Sequence, residues 1–329
     1  MKKKYKLGIC TSFEPRYKNY IAACEELGVE YEIIDILSHD WLDIVRNSAC
    51  DGFLLRPPSD LQERKTVYDE RMYYISQHLK RPVYPEFDEL YIYENKRNMA
   101  AWLDINGFPH AKTRVFLRKD DALEYLSNCE YPVVFKSNIG YGAHGVKIIK
   151  SRFAAKCIAH RVFGIFHPKL TIGYFQFPFF GKSQKHYLIV QDLKKIKWEW
   201  RIIKIGNSYF GHQKLLKGQF ASGSKLVGWV KPPVELLSLV KDVSEKGGFR
   251  SLALDVFETV DDKYVINEIQ SIFGSYNPSQ MYINDVPGRF VFKDGEFVFE
   301  EGYFNKHGSY MLRVQHFLEI LDSEVKERS

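Results

Sequence analysis

Several features that would assign a class outright are scarce or missing in this chain. Of its 329 residues only five are cysteine, and Cys10, Cys24, Cys50, Cys129 and Cys157 are scattered without CxxC spacing. That pattern argues against zinc and against a disulfide framework, and for free thiols in a reducing cytoplasm. No run of about eighteen apolar residues occurs, so no membrane-spanning helix is expected. The opening KKKYKLGIC has only a short apolar run before polar residues resume, which does not read as a signal peptide. Net charge is +6, from 47 basic and 41 acidic residues, and no basic tract stands out beyond the first six positions. Nucleic-acid binding is therefore not indicated. His160, His167 and His186 show no ligand spacing. A nucleophile signature such as GxSxG is absent as well.

What the chain does have is a set of glycines, lysines and carboxylates in suggestive places. In YPVVFKSNIGYGAHGV, residues 131–146, an apolar strand delivers Lys136 into a loop carrying Gly140, Gly142 and Gly145. Glycines let backbone N–H groups approach phosphate oxygens without a Cβ clash, and a lysine on the preceding strand supplies screening charge. By itself such a loop is most often only an ordinary turn between strands. Further on, LALDVFETV and YVINEIQ read as two strands joined by a turn at Asp261, Asp262 and Lys263. Strand pairing can bring Asp255 and Glu268 together. Crowded carboxylates repel unless a hard cation such as Mg²⁺ sits between them.

The first third reads as a separate α/β unit. YKLGIC, VEYEIIDI and DGFLLRP are strands, and a helix between the first two ends at Gly28, which predicts a small parallel sheet with crossover helices. Loops after such strands form ligand crevices, which makes Glu14, Arg16 and Arg56 candidate substrate contacts. The aromatic-rich segment 162–187 suggests packing or a subunit contact, leaving homo-oligomerisation open. Residues after 275 read as a hairpin with a DG turn and a terminal helix, with no functional reading attached.

Four blocks in order, ENKRNMAAWLDINGFPHAKTRVF, YPVVFKSNIGYGAHGVKII, IVQDLKKIKWEWRIIKIGNSYFGHQK and the LALDVF/YVINEIQ pair, cover roughly residues 90–275. In this order they resemble the ATP-grasp enzymes, closest to the ribosomal-protein glutamate ligase and glutathione synthetase branch. The resemblance implies an α/β (α+β) ATP-grasp fold with an N-terminal parallel α/β domain at 1–91, a lid subdomain at 92–189 and a C-terminal subdomain with a metal site at 190–329. It implies that Lys96 and Lys136 contact ATP, that Gly140, Gly142 and Gly145 form a lid over the triphosphate, and that Gln191, Asp192 and Leu193 form the adenine hinge. Arg201 and Lys214 fall where relatives face phosphate or the acyl intermediate. Asp255, Glu268 and Gln270 fall on the metal ligands. Three positions depart from the usual pattern: Asp192 stands for glutamate, Lys214 for arginine and Gln270 for asparagine.

The activity so implied is ATP-dependent ligation of a small-molecule carboxylate to an amine through an acyl phosphate, with Mg²⁺ or alternatively Mn²⁺. Charge neutralisation dominates such chemistry, which needs no protein nucleophile. Two alternatives stay open, a phosphotransferase using the same nucleotide site and a non-catalytic ATP-binding protein. The substrates are not encoded in any motif.

Overall fold

The computed structural model describes residues 5–140, 145–164, 184–218, 221, 224–275 and 277–328. Strands β1 (Lys6–Cys10), β2 (Glu30–Ile34), β3 (Gly52–Leu54) and β4 (Val83–Tyr84) form a parallel sheet in the order β2-β1-β3-β4. Parallel neighbours need crossovers, supplied here by helices α1 (Lys18–Leu27), α2 (Trp41–Asn47) and α3 (Gln62–Tyr73). Helix α1 stops where the sequence places its end: Gly28 takes a left-handed φ of 65°, and Val29 N–H closes onto the Cys24 carbonyl at 2.9 Å. Helix α4 (Phe87–Ile92) leads out of this unit and α5 (Lys96–Ile105) opens the next.

A second layer is a four-stranded antiparallel sheet, β5 (Thr113–Phe116), β6 (Val133–Lys136), β7 (Val146–Ile149) and β8 (Leu188–Asp192), in the order β5-β8-β6-β7. Helices α6 (Lys119–Asn128) and α7 (Arg152–Val162) cover it through Ala122, Leu126, Ala155 and Ile158. The expected boundary between residues 189 and 190 falls inside β8, which pairs with both β5 and β6. Gly142 and most of the aromatic segment, residues 165–183, lie outside the described residues.

The largest sheet has eight strands. Strands β9 (Ile196–Ile205), β10 (Ser208–Lys214), β12 (Ser251–Thr259), β13 (Tyr264–Gln270), β14 (Tyr282–Ile283) and β15 (Val286–Lys293) run in the order β13-β12-β9-β10-β15-β14, with β11 (Val227–Gly228) on β10 and β16 (Glu296–Glu301) on β15. Helix α8 (Val234–Gly247) buries Leu236, Leu237, Val240 and Val243, one helical face, in a core with Ile202, Leu252 and Leu254. The chain then doubles back. Helix α9 (Tyr310–Arg328) bridges two sheets: it packs Tyr310, Val314, Phe317 and Leu321 against Leu7, Ile9, Leu54 and Tyr84 of the first, while Leu312 joins the core of the largest sheet and Arg313 donates to Ser251 in β12 at 3.1 Å. The segment 190–329 thus ends in a helix shared between the largest sheet and the N-terminal one.

Candidate active site

Strand register assembles the site. Arg201 in β9 lies opposite His212 in β10 on one side and Asp255 in β12 on the other, and Asp255 lies opposite Glu268 in β13. Directly opposed residues share a face of the sheet, so four polar side chains stand in one row. One step along β9, Glu199 lies opposite Lys214. Arg201 holds Asp255 through a bidentate fork, Nε to Oδ1 at 2.9 Å and Nη2 to Oδ2 at 2.8 Å, and its Nη2 also donates to the Gln270 side-chain oxygen at 3.3 Å. Lys214 Nζ lies 2.6 Å from Asp255 and donates to Glu199 at 2.5 Å.

A β-bulge links this row to the lid. Asp255 pairs with Glu268 but Val256 pairs with Ile266, so Asn267 is the extra residue of β13. Its side chain accepts from Lys136 Nζ at 2.8 Å and donates to Glu199 at 3.2 Å. Lys96, at the start of α5, lies 3.2 Å from Glu268 and donates to the Gly140 carbonyl at 2.9 Å, while Gly140 N–H donates to Glu94 at 2.8 Å. The far end of the loop is tied by Ser137 N–H to the Gly145 carbonyl at 2.8 Å, with Gly145 at a φ of 79° that an L side chain adopts only under strain.

Burial gives these charges unusual proton affinities. Desolvation pushes Lys136 down to about 8, only partly offset by Glu268. Burial would raise Asp255, yet Arg201 and then Lys214 outweigh it and hold the carboxylate well below its usual range. Glu199 and Glu94 are pushed up, both chiefly by burial. Lys96 goes up because Glu268 and Glu94 overcome its desolvation. His212 falls to about 4 through burial and the neighbouring Arg201 charge. It is therefore neutral near pH 7, and its Nδ1, 2.9 Å from the Gln280 carbonyl, is the protonated nitrogen because a carbonyl only accepts.

Arg201, Lys214, Asp255, Glu268 and Gln270 all open onto one cavity of about 970 Å³, which also reaches Arg16 and Arg56 in the first unit. Lys96 and Lys136 reach the cluster through Glu268 and Asn267 rather than lining that cavity. The hinge side chains stand apart: Gln191 donates to Thr113 at 3.0 Å, Asp192 pairs with Arg114 at 2.7 Å, and Leu193 is partly exposed. Sequence reasoning missed Glu199, His212, Asn267 and Glu94. Glu199 carries a readable signal, since it stands two residues before Arg201 in a strand and so shares its face. Asn267 carries none, because the bulge that turns it inward is invisible without the pairing.

Among the described residues no group of three His, Cys, Asp or Glu side chains converges as a metal site. Asp255, Glu268 and Gln270 nevertheless offer two carboxylates and an amide oxygen to one cavity, a donor set that fits a hard cation completed by phosphate oxygens and water. The two carboxylates are meanwhile neutralised by Arg201, Lys214 and Lys96.

A parallel α/β unit, a small antiparallel lid sheet and a large antiparallel sheet carrying this ionic row define the ATP-grasp fold, and comparison with solved structures bears this out. A RimK domain ATP-grasp protein from Sphaerobacter thermophilus superimposes with a TM-score of 0.54 at 16% identity, over 80% of this chain and 90% of that one. The D-alanine–D-alanine ligase of Bacillus anthracis, complexed with ATP, gives 0.59 at 13% identity over 99% and 100% of the two chains. D-cycloserine synthetase DcsG gives 0.61 at 14% identity over 96% and 99%. In sequence, the chain is 29% identical over 184 residues to the alpha-aminoadipate–LysW ligase LysX of Sulfurisphaera tokodaii, a match covering 54% of this chain and spanning 59% of that relative's length. No protein-family model matches the chain. Among the described residues no helix is long and apolar enough to cross a membrane.

Proposed function

We propose that the protein is an ATP-dependent carboxylate–amine ligase. The observation that carries this reading is the ionic row: Arg201, Lys214, Asp255, Glu268 and Gln270 face one cavity that extends to the first unit, with Lys136 and Lys96 joined to its back. In this reading Lys96 and Lys136 bind the ATP phosphates under the loop of Gly140, Gly142 and Gly145, and the β8 segment Gln191, Asp192, Leu193 reads the base. Asp255, Glu268 and Gln270 would hold Mg²⁺ or Mn²⁺, which when bound supplies charge neutralisation at phosphate oxygens. A substrate carboxylate oxygen attacks the γ-phosphorus and ADP leaves. The amine then attacks the acyl carbon, phosphate leaves, and the amine nitrogen gives up a proton. Arg201 and Lys214 orient the carboxylate and screen the oxyanion, a role for preorganised cations in a partly dry site. The small carboxylate and amine substrates and a cytoplasmic location, supported by five free cysteines, belong to the same proposal.

ADP release measured over pools of carboxylates and amines with Mg²⁺ tests it. A ligase releases ADP only with both partners, and mass spectrometry finds the amide. Phosphorylated acceptor without amine would identify a phosphotransferase. ATP binding with no ADP from any pool would reject turnover; that second reading has one observation in its favour, the Gln270 oxygen turned toward Arg201.

A further inference from the structure

Arg56 is buried, at 4% exposure, yet its charge is answered only from a distance. Its Nη1 is held, donating to the Pro57 carbonyl at 3.0 Å and the Tyr93 hydroxyl at 3.4 Å. Among the described residues its Nε has no hydrogen-bond partner, and its Nη2 lies 4.0 Å from Glu14, too far for a hydrogen bond. Glu14 is nearer Arg16, at 3.2 Å, and accepts from the Ser59 hydroxyl at 3.2 Å, while its buried Oε2 has no hydrogen-bond partner among the described residues. The Nε–Nη2 edge left open on Arg56 is the one with which Arg201 grips the Asp255 carboxylate. Both arginines line the same cavity. Among the described residues, buried polar atoms without hydrogen-bond partners also gather in the loops after β1 and β3, at Ser12, Glu14 and Asp60 besides Arg56, where parallel sheets take ligands. A buried guanidinium costs stability unless an anion pairs with it, so the open edge is shaped for a ligand.

Resting on the ligase reading above, we propose that Arg56 is a substrate-binding residue that grips a second carboxylate, one not activated, so that the substrate joined here is a dicarboxylate. Arg201 and Lys214 serve the reacting end, and Arg56 holds the other. The planar fork suits a carboxylate, and the Glu14 charge 4.0 Å away disfavours a dianionic phosphate.

Calorimetric titration without ATP measures binding of succinate, glutarate and adipate against butyrate, valerate and hexanoate, with a phosphonate-tailed acid as a third arm. Wild-type protein is expected to prefer one diacid over its monoacid by roughly 10- to 100-fold, the worth of a charge-assisted hydrogen-bond pair. Arg56→Gln should abolish that preference, and Arg56→Lys should restore only part of it. Thermal unfolding of Arg56→Gln should be unchanged or higher, since a poorly paired buried charge is removed. The same acids are then compared in a hydroxylamine-trapped turnover assay, where the diacid-to-monoacid ratio of kcat/KM should fall by the same factor in Arg56→Gln. Equal binding of diacids and monoacids by wild-type protein overturns the proposal, as does tighter binding of the phosphonate, or a less stable Arg56→Gln protein that loses all acids alike. Diacid preference in binding with no turnover of any acid would sink the ligase reading and leave only the diacid-binding role of Arg56 standing.

Discussion

Lys136 stands where burial and its partners pull in opposite directions, and its pushed-down proton affinity of about 8 makes a pH test of the nucleotide site. Phosphate binding needs the charged lysine. Below about pH 8 the group is already protonated and its contribution to ATP affinity is flat. Between there and its ordinary value of 10.5 the free protein must take up a proton on binding, so affinity should fall by about tenfold per pH unit. The stability sign is the reverse: the folded state disfavours the charged form, and that penalty is relieved as pH rises through the same window. ATP titration from pH 7 to 10 checks the first statement; Lys136→Ala should weaken binding roughly 10- to 100-fold and flatten the profile. An unaltered affinity would remove Lys136 from the nucleotide site. Gln270 offers a second residue-level test. Gln270→Asn shortens the arm but keeps the oxygen, so metal-dependent turnover should persist with altered metal affinity, whereas Gln270→Ala should lose most of it. Equal rates in the two variants would mean that the amide oxygen is not used.

At the scale of the element, the β12–β13 hairpin carries the site through register. Asp255→Asn removes the ion-pair partner of Arg201 and one of the two held by Lys214, whose pair with Glu199 remains, and leaving a buried cation unpaired costs about 3–5 kcal/mol. Turnover should collapse and the urea midpoint should drop, whereas Glu268→Gln, which frees only Lys96, should spare more stability than activity. Similar midpoints for the two variants would contradict this reading of the row. The hairpin was legible beforehand because both strands are β-rich and flanked by turn residues, and the same local grammar revealed the first parallel unit and the DG hairpin, which turns at Asp294 and Gly295 between β15 and β16. Arg201, Lys214, Asp255, Glu268 and Gln270 were singled out through ordered resemblance, and the fold brings them to one cavity. Asn267 was not, since its inward turn comes from a bulge, and Glu94 and Lys96 meet the glycine loop only through the third dimension. The Gln191 and Asp192 side chains stand apart from the cavity because their partners, Thr113 and Arg114, belong to β5.

For the whole molecule, the decisive contact is long-range: α9 lays Phe317 on the first sheet so closely that a Cβ at Gly52 would sit 2.5 Å from the ring. No local pattern says which sheet an amphipathic helix covers, so its return was unreadable. Phe317→Ala should cost about 3–5 kcal/mol, the range for emptying a buried aromatic site. Denaturant unfolding followed by circular dichroism measures it; a loss under about 1 kcal/mol would mean that α9 adds little to the first unit. The same contact has a consequence for how the protein is made. A ribosome releases Leu7, Ile9, Leu54 and Tyr84 long before Val314 and Phe317, which cover them. At bacterial-to-eukaryotic synthesis speeds that interval is roughly ten seconds to most of a minute. During it that face of the nascent sheet is covered only by α1, through Tyr20, Ala23 and Cys24, and the remainder stays open to chaperones until α9 emerges.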